Sequence, residues 1–242
     1  FTDRAISYRE DHGFNHFDVY LSVGVQKLIN SKVSGVMFTI DPDSGHDGFV
    51  MINASYGLGD YIVQGKVNPD QYYVHKQTQQ IIEKELGSKK IMEIRKRQGV
   101  KGKKVSKKLQ KKFALSDKKI LELAKYGAKI EKYYKKPQDI EWAYDGRKLW
   151  VLQSRPETVH SQKNKLIYKE YKLLQKSKLL AQGIAIGRAI SSGKVNIIKS
   201  PKQIHNFKKG QILVTHATDP DWEPIMKIAG GIITEVGGRT SH

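Results

Sequence analysis

The chain has 242 residues, 43 Lys and Arg against 24 Asp and Glu for a formal net charge of +19, and no cysteine. That length predicts one or two domains with ample material for a core, and the missing cysteines exclude both a disulfide framework and a thiolate metal site, in keeping with a reducing, cytoplasmic setting. No apolar run reaches about 18 residues and no charged-then-apolar leader is present, so neither a membrane span nor a secretory signal is expected.

The opening "FTDRAISYRE" lacks an initiator methionine, and together with the last residue, His242, it reads as the cut edge of a longer chain. Residues 19–76 read as strands and turns. "VYLSVGVQKLI" and "VSGVMFTI" are rich in β-branched residues and are separated by "NSK", which predicts a hairpin; "GFVMINAS" follows the turn-rich "DPDSGHDG" as a further strand. "YGLGD" is a Gly-x-Gly loop without the Lys-Ser/Thr of a phosphate-binding P-loop, and a tight turn accounts for it as well. "NPDQYYVHK" gives another turn and strand.

Residues 89–119 hold 14 Lys and Arg and two acids, Glu93 and Asp117, so a net charge of about +12 comes from an eighth of the chain. A basic polyanion-binding protein is the alternative that this concentration raises. Phe113 is the one aromatic residue there, whereas single-strand binders interleave several stacking rings with their cations. Lysine also outnumbers arginine, the better fork for phosphates and guanines. A solvated lysine-rich face is the simpler reading, and nucleic acid is not an expected partner.

Ser116 followed by Asp117 predicts a helix start, an N-cap and a first-turn acid. Ile120, Leu123, Gly127, Ile130 and Tyr134 recur at three- to four-residue spacing while Lys118, Lys119, Glu122, Lys125 and Lys129 face away, and Pro137 closes the element. In "DIEWAYDGRKLWVLQ" the period is two: Asp139, Glu141 and Ala143 share one strand face, Ile140 and Trp142 the other. A three-residue loop, Tyr144, Asp145 and Gly146, would gather Ile140, Trp142, Trp150 and Leu152 on one apolar face. It would also bring Gln153 and Arg155 beside Asp139 and Glu141. Two carboxylates about 7 Å apart with an amide and a guanidinium suit a magnesium ion and a phosphate chain. An ordinary half-buried hairpin with a charged outer face shows the same alternation.

Residues 159–179 are lysine-rich with few apolar anchors and read as a linker. "AQGIAIGRAISSGKVNIIKS" then restarts short strands, which predicts a second domain. Its last segment, "EVGGRTSH", joins a strand, two glycines and the helix-start residues Thr240 and Ser241, placing His242 at the head of a helix to come. Amides and dipole there favour phosphate, and a histidine so placed can act as a nucleophile; an ordinary loop histidine is the plain alternative.

Taken in order, "FTDRAISYRE", "SVGVQKLINSKVSGVMFTIDPDSG", "GLGDYIVQGKVNPDQYYVHK", "QDIEWAYDGRKLWVLQSRPETV" and "TDPDWEPIMKIAGGIITEVGGRTSH" resemble the phosphoenolpyruvate synthase (pyruvate, water dikinase) family across nearly the whole chain. "QSRP" and "GGRTSH" alone would indicate the wider group that includes pyruvate phosphate dikinase and the rifamycin phosphotransferases. The resemblance implies an α/β (α+β) fold: the later part of an ATP-grasp nucleotide-binding domain over residues 1–158, a linker over 159–179, and from 180 to 242 the start of a swivelling β/β/α phosphohistidine domain. It implies ATP and pyruvate as substrates and Mg2+ as cofactor. Glu141 and Gln153 would hold magnesium and the phosphates with Asp139 in support, Arg155 would bind the phosphates, and Gln26, Lys27, Leu28 and Ile29 would form the adenine strand. His242 would carry the phosphoryl group with Thr240 hydrogen-bonding it. The family's preceding lobe and its pyruvate-binding barrel lie outside this sequence, so the chain by itself is expected to be inactive in phosphoenolpyruvate synthesis. Oligomeric state stays open.

Overall fold

A computed structural model describes residues 3–20, 22–42, 44–157, 172, 174–175, 177–183, 185–186 and 189–237. In chain order the elements are α1 (Asp3–His12), β1 (Val33–Phe38), β2 (Phe49–Tyr56), α2 (Asp60–Val63), β3 (Asp70–His75), β4 (Gln80–Glu85), β5 (Ile91–Arg95), β6 (Val100–Lys104), α3 (Lys107–Gln110), α4 (Asp117–Tyr134), β7 (Gln138–Tyr144), β8 (Leu149–Pro156), β9 (Val195–Ile197), β10 (Ile212–Thr215), α5 (Glu223–Ile228) and β11 (Gly231–Thr234). The class is mixed α/β. Six strands make an antiparallel sheet in the order β4-β3-β2-β1-β7-β8, and β5 and β6 make a separate hairpin.

One face of the large sheet is apolar because every second residue is: Met37, Val50, Ile52, Tyr72, Val74, Ile140 and Trp142 close against Leu115, Ile120, Leu123 and Ala124. Helix α4 supplies the last three, of which Ile120 and Leu123 lie on the predicted stripe and Ala124 beside it, but its end differs. Tyr134 is 54% exposed, since the helix stops one residue later with Lys135 in the left-handed conformation (φ 56°). At its start Ser116 takes the extended N-cap backbone, yet its side chain makes no capping bond.

The hairpin expected between residues 19–29 and 33–40 does not form. β1 is a central strand whose two edges are taken by β2 and β7, which leaves no backbone for an earlier strand to pair with. Residues 22–32 therefore carry no strand, and Val23 and Val25 are 81% and 99% exposed. β-Branched composition measures fit to a pleated surface, and here the topology offers none. The segment is pinned at its end, where Lys32 N donates to Tyr144 O at 2.8 Å and Ser31 Oγ to Gly57 O at 2.8 Å.

The basic stretch has more structure than its composition suggests. Lys89 is fully buried beside an equally buried Asp70. Lys89 Nζ donates to Asp70 Oδ1 and, at 2.9 Å, to Gly87 O; Asp70 also accepts from Gly87 N (2.9 Å), Ala114 N (2.7 Å) and Tyr72 Oη (3.2 Å). This ionic hub ties β3 to the loops before β5 and before α4. The β5–β6 hairpin hangs on the glycine turn after β2: Gly57 bridges Glu93, and Leu58 N donates to Glu93 O at 2.8 Å. Gly57 has φ +84°, and a Cβ there would overlap the Glu93 carbonyl oxygen. Gly57→Ala combines left-handed strain with that clash, so a loss of about 2 kcal/mol or more is expected in urea unfolding.

After the linker region, β9, β10 and β11 form a parallel three-stranded sheet, order β11-β10-β9, over Ile198, Phe207, Leu213, Trp222 and Ile225. The described residues between 181 and 194 carry no strand, contrary to the expectation of short strands there. Asp219 caps the turn into α5 by accepting from Asp221 N at 2.9 Å. No helix among the described residues is long and apolar enough to cross a membrane.

Candidate functional site

On the face of the large sheet opposite α4, strand register sets the site. Glu141 pairs with Gln153 and Asp139 with Arg155, so two carboxylates, an amide and a guanidinium share one surface. Arg155 binds Asp139 through Nε at 2.8 Å and through a second nitrogen at 2.7 Å, which leaves Glu141 as the carboxylate free of an ion pair among the described residues.

The rest of the hairpin departs from the expected pattern. The turn spans four residues, Asp145 to Lys148, not three, and pairing shifts register between Glu141 and Trp142, so Trp142 faces Val151 and Ala143 faces Trp150. Leu152 is left without a cross-strand partner. This bulge reverses the alternation toward the turn. Leu149 joins the α4-side core with Tyr144, and Trp150 goes to the carboxylate face. A tryptophan N–H needs a partner when half-buried, and Asp145 provides it: Trp150 Nε1 donates to Asp145 Oδ2 at 2.8 Å while Lys148 Nζ lies 3.9 Å from the ring centroid. Asp145 also accepts from Arg147 N and Lys148 N, and these bonds, the indole first, lower its pKa to about 2.

Glu141 lines a cleft of about 510 Å³ together with Gln26, Lys27, Leu28 and Ile29. The fold thus brings the expected adenine segment, which carries no strand, to the same opening as the hairpin carboxylate. Asp139, Gln153 and Arg155 are outside the cleft lining, further along the same face. Leu58, Val63, Val100, Ala143 and Leu152 give the cleft apolar walls, and Gly59 and Asp60 bring in the "YGLGD" loop. The size and mixed lining suit a small-molecule ligand.

Sequence reading missed Asp60 and Glu93. Glu93 is 8% exposed and lines the cleft from β5; burial first, then the charge of Asp60, raise its pKa against the pull of Lys66. Its one sequence signal was its isolation as an acid among cations. Glu141 is raised likewise, by burial first and then by Asp139, with Arg155 opposing. A carboxyl whose folded pKa lies above its unfolded one weakens the fold as pH rises through that window. Glu141→Gln should therefore raise the thermal midpoint at neutral pH, and the gain should vanish in acid, where wild-type Glu141 is protonated in both states. A midpoint difference independent of pH would contradict this.

The donor set accords with a hard divalent ion, since two carboxylates and an amide supply only oxygens and Glu141 has no cation of its own. No group of three or more His, Cys, Asp or Glu gathers to hold a metal among the described residues. His242 and Thr240 lie outside the described residues. Gly237, five residues before His242, donates its amide to Asn68 Oδ1 at 3.1 Å.

A family model described as "Pyruvate phosphate dikinase, AMP/ATP-binding domain" matches residues 1–175. The chain belongs to that family. A second model, "PEP-utilising enzyme, mobile domain", matches residues 207–242. Among curated relatives the chain is 49% identical to the phosphoenolpyruvate synthase of Aquifex aeolicus, 46% to that of Synechocystis and 44% to that of Escherichia coli, in each case over 100% of this chain but 31 or 32% of the relative. The chain therefore spans about a third of the length of these relatives. The cleft lies between the Glu141 face of the large sheet and the β5–β6 hairpin.

Proposed function

We propose that the chain is the nucleotide-binding and phosphohistidine part of a cytoplasmic phosphoenolpyruvate synthase. In that enzyme ATP phosphorylates His242, and the phosphoryl group passes to pyruvate, giving phosphoenolpyruvate, AMP and phosphate. The observation that carries this is the meeting of Glu141 with residues 26–29 in one cleft, in a chain whose AMP/ATP-binding match spans residues 1–175. The domain limits proposed are 1–158 for the nucleotide unit and 180–242 for the phosphohistidine unit, with 159–179 as the linker.

In this reading the apolar walls and the backbone of residues 26–29 take the adenine. Glu141 and Gln153 hold Mg2+, with Asp139 in support, and Arg155 neutralises phosphate oxygens. Mg2+, when bound, neutralises charge on the phosphate chain. Arg155 holds Asp139 in its present orientation until phosphate arrives to share the guanidinium. His242 then attacks the β-phosphorus through a ring nitrogen: an N–P bond forms, the P–O bond to AMP breaks with its electron pair staying on the AMP oxygen, and water cleaves the outer phosphoanhydride, releasing phosphate and leaving one phosphoryl group on His242. Thr240 donates a hydrogen bond to the histidine or its phosphate. Pyruvate, through its enol oxygen, takes the phosphoryl group in a domain beyond this chain.

The test is incubation of the whole reading frame with Mg-ATP, followed by mass spectrometry. One phosphoryl group on His242, absent in His242→Ala and strongly reduced in Glu141→Ala, is the expected result. Phosphate on another residue, or labelling that survives His242→Ala, would overturn the reading.

A further inference from the structure

The cations of residues 89–119 find no use in the site described so far. Some exposed cations are tied to acids, as Lys84 is to Asp117, Arg155 to Asp139 and Lys227 to Asp11. On the β5–β6 hairpin, Arg95, Lys101, Lys103 and Lys104 have no carboxylate within ion-pair distance among the described residues, and β6 is exposed along its whole length.

The hairpin is nonetheless firmly placed. It hangs on Gly57 and Leu58 through Glu93, and the Tyr61 hydroxyl lies against Gly102. Its Glu93 and Val100 line the cleft. Arg95 pairs directly with Val100 and, two residues from Glu93, shares that face by strand alternation. Lys101 and Lys103 stand on the outer face. The cleft itself is lined by three carboxylates, Asp60, Glu93 and Glu141, against one cation, Lys27. Such a lining repels a polyphosphate approaching from solvent, so a cationic wall beside it has a task to perform.

We propose that the β5–β6 hairpin is an electrostatic funnel that speeds entry of a free nucleoside triphosphate into the Glu141 cleft. This rests on the nucleotide-cleft reading. Its field offsets that of the cleft carboxylates at the distance where an incoming anion is captured, about 10 Å at 0.1 M salt. Lysine suits that work: it is a compact point charge on a flexible stem, where a fixed phosphate contact would favour the arginine fork. The effect therefore falls on the association rate and not on the residence time.

The experiment is stopped-flow binding of a fluorescent ATP analogue to the whole reading frame, with and without added salt. In Lys101→Gln/Lys103→Gln/Lys104→Gln, kon at low salt should fall roughly tenfold and lose most of its salt dependence, with koff nearly unchanged. The matching triple Lys→Arg variant, which keeps the charge, should retain the wild-type rate. All three side chains are exposed, and an unchanged thermal midpoint verifies folding. An unchanged kon overturns the proposal, as does a rise in koff alone, which would mark direct contact. Binding of a single-stranded oligonucleotide that the triple variant loses while its kon for nucleotide holds would overturn it in favour of nucleic acid. Wild-type protein that binds no nucleotide removes the cleft reading itself, an outcome read before any variant is compared.

Discussion

Lys89→Met should destabilise the fold by about 3–5 kcal/mol, because it leaves a carboxylate buried without its cation. Both partners are wholly shielded from solvent. Asp70 would keep the amides of Gly87 and Ala114 and the Tyr72 hydroxyl, three donors that moderate the loss without replacing a full charge. The Tyr72 proton is secure: burial first, then the charge of Asp70, raise its pKa well above the ordinary tyrosine value. Against a typical total stability of about 5–15 kcal/mol, the loss is large. Lys84→Met, which removes the exposed partner of Asp117, serves as the control and should cost about 1 kcal/mol or less. Urea unfolding of the three proteins makes the comparison; equal midpoints for Lys89→Met and Lys84→Met would show that the buried pair contributes no more than a surface one.

Glu141→Ala should lower ATP-dependent phosphoryl transfer in the whole reading frame by roughly 10²–10³-fold, the usual effect of removing one preorganised electrostatic group. The folded state should not suffer in parallel. In the ligand-free cleft the Glu141 carboxylate is already disfavoured by burial and by Asp139, so its removal relieves that penalty, and the variant should melt no lower than wild type. Activity and stability thus move apart, as expected where a site is kept for function at some cost to the fold. Asp139→Asn should do less to catalysis, because Asp139 sits behind Arg155. Steady-state kcat/KM and thermal midpoints for both variants give the answer; a Glu141→Ala protein with near-wild-type turnover would remove the proposed role.

The parts of this architecture that were legible in the sequence are those where a side-chain period meets a buried face. Strand β7 shows its two faces by alternation, and α4 shows its core stripe by spacing. That Gln153 shares a face with Glu141 was legible, but their direct pairing rests on the four-residue turn and the bulge beyond Glu141, which alternation does not reveal. What escaped depended on partners remote in sequence. Residues 19–29 looked like a strand because composition does not say that β1 has both edges filled. The β5–β6 hairpin was hidden because its residues are exposed and cationic, so no apolar pattern marks them. Glu93 enters the cleft only because Gly57 permits a close backbone approach 36 positions away in the numbering. Trp150 left the apolar face for a hydrogen bond to Asp145, a local polar interaction that outweighed burial.

The bulge at Leu152 has a consequence for how related chains can differ in length. Removing Leu152 leaves every observed pair in place: Trp142 would still face Val151 and Glu141 would still face Gln153, now in an unbroken ladder. Removing Gln153, Ser154 or Arg155 would instead change which side chains oppose the carboxylates. The hairpin therefore holds one spare position, and a relative shorter by one residue there would keep its paired carboxylate surface while giving the Glu141 cleft a different wall.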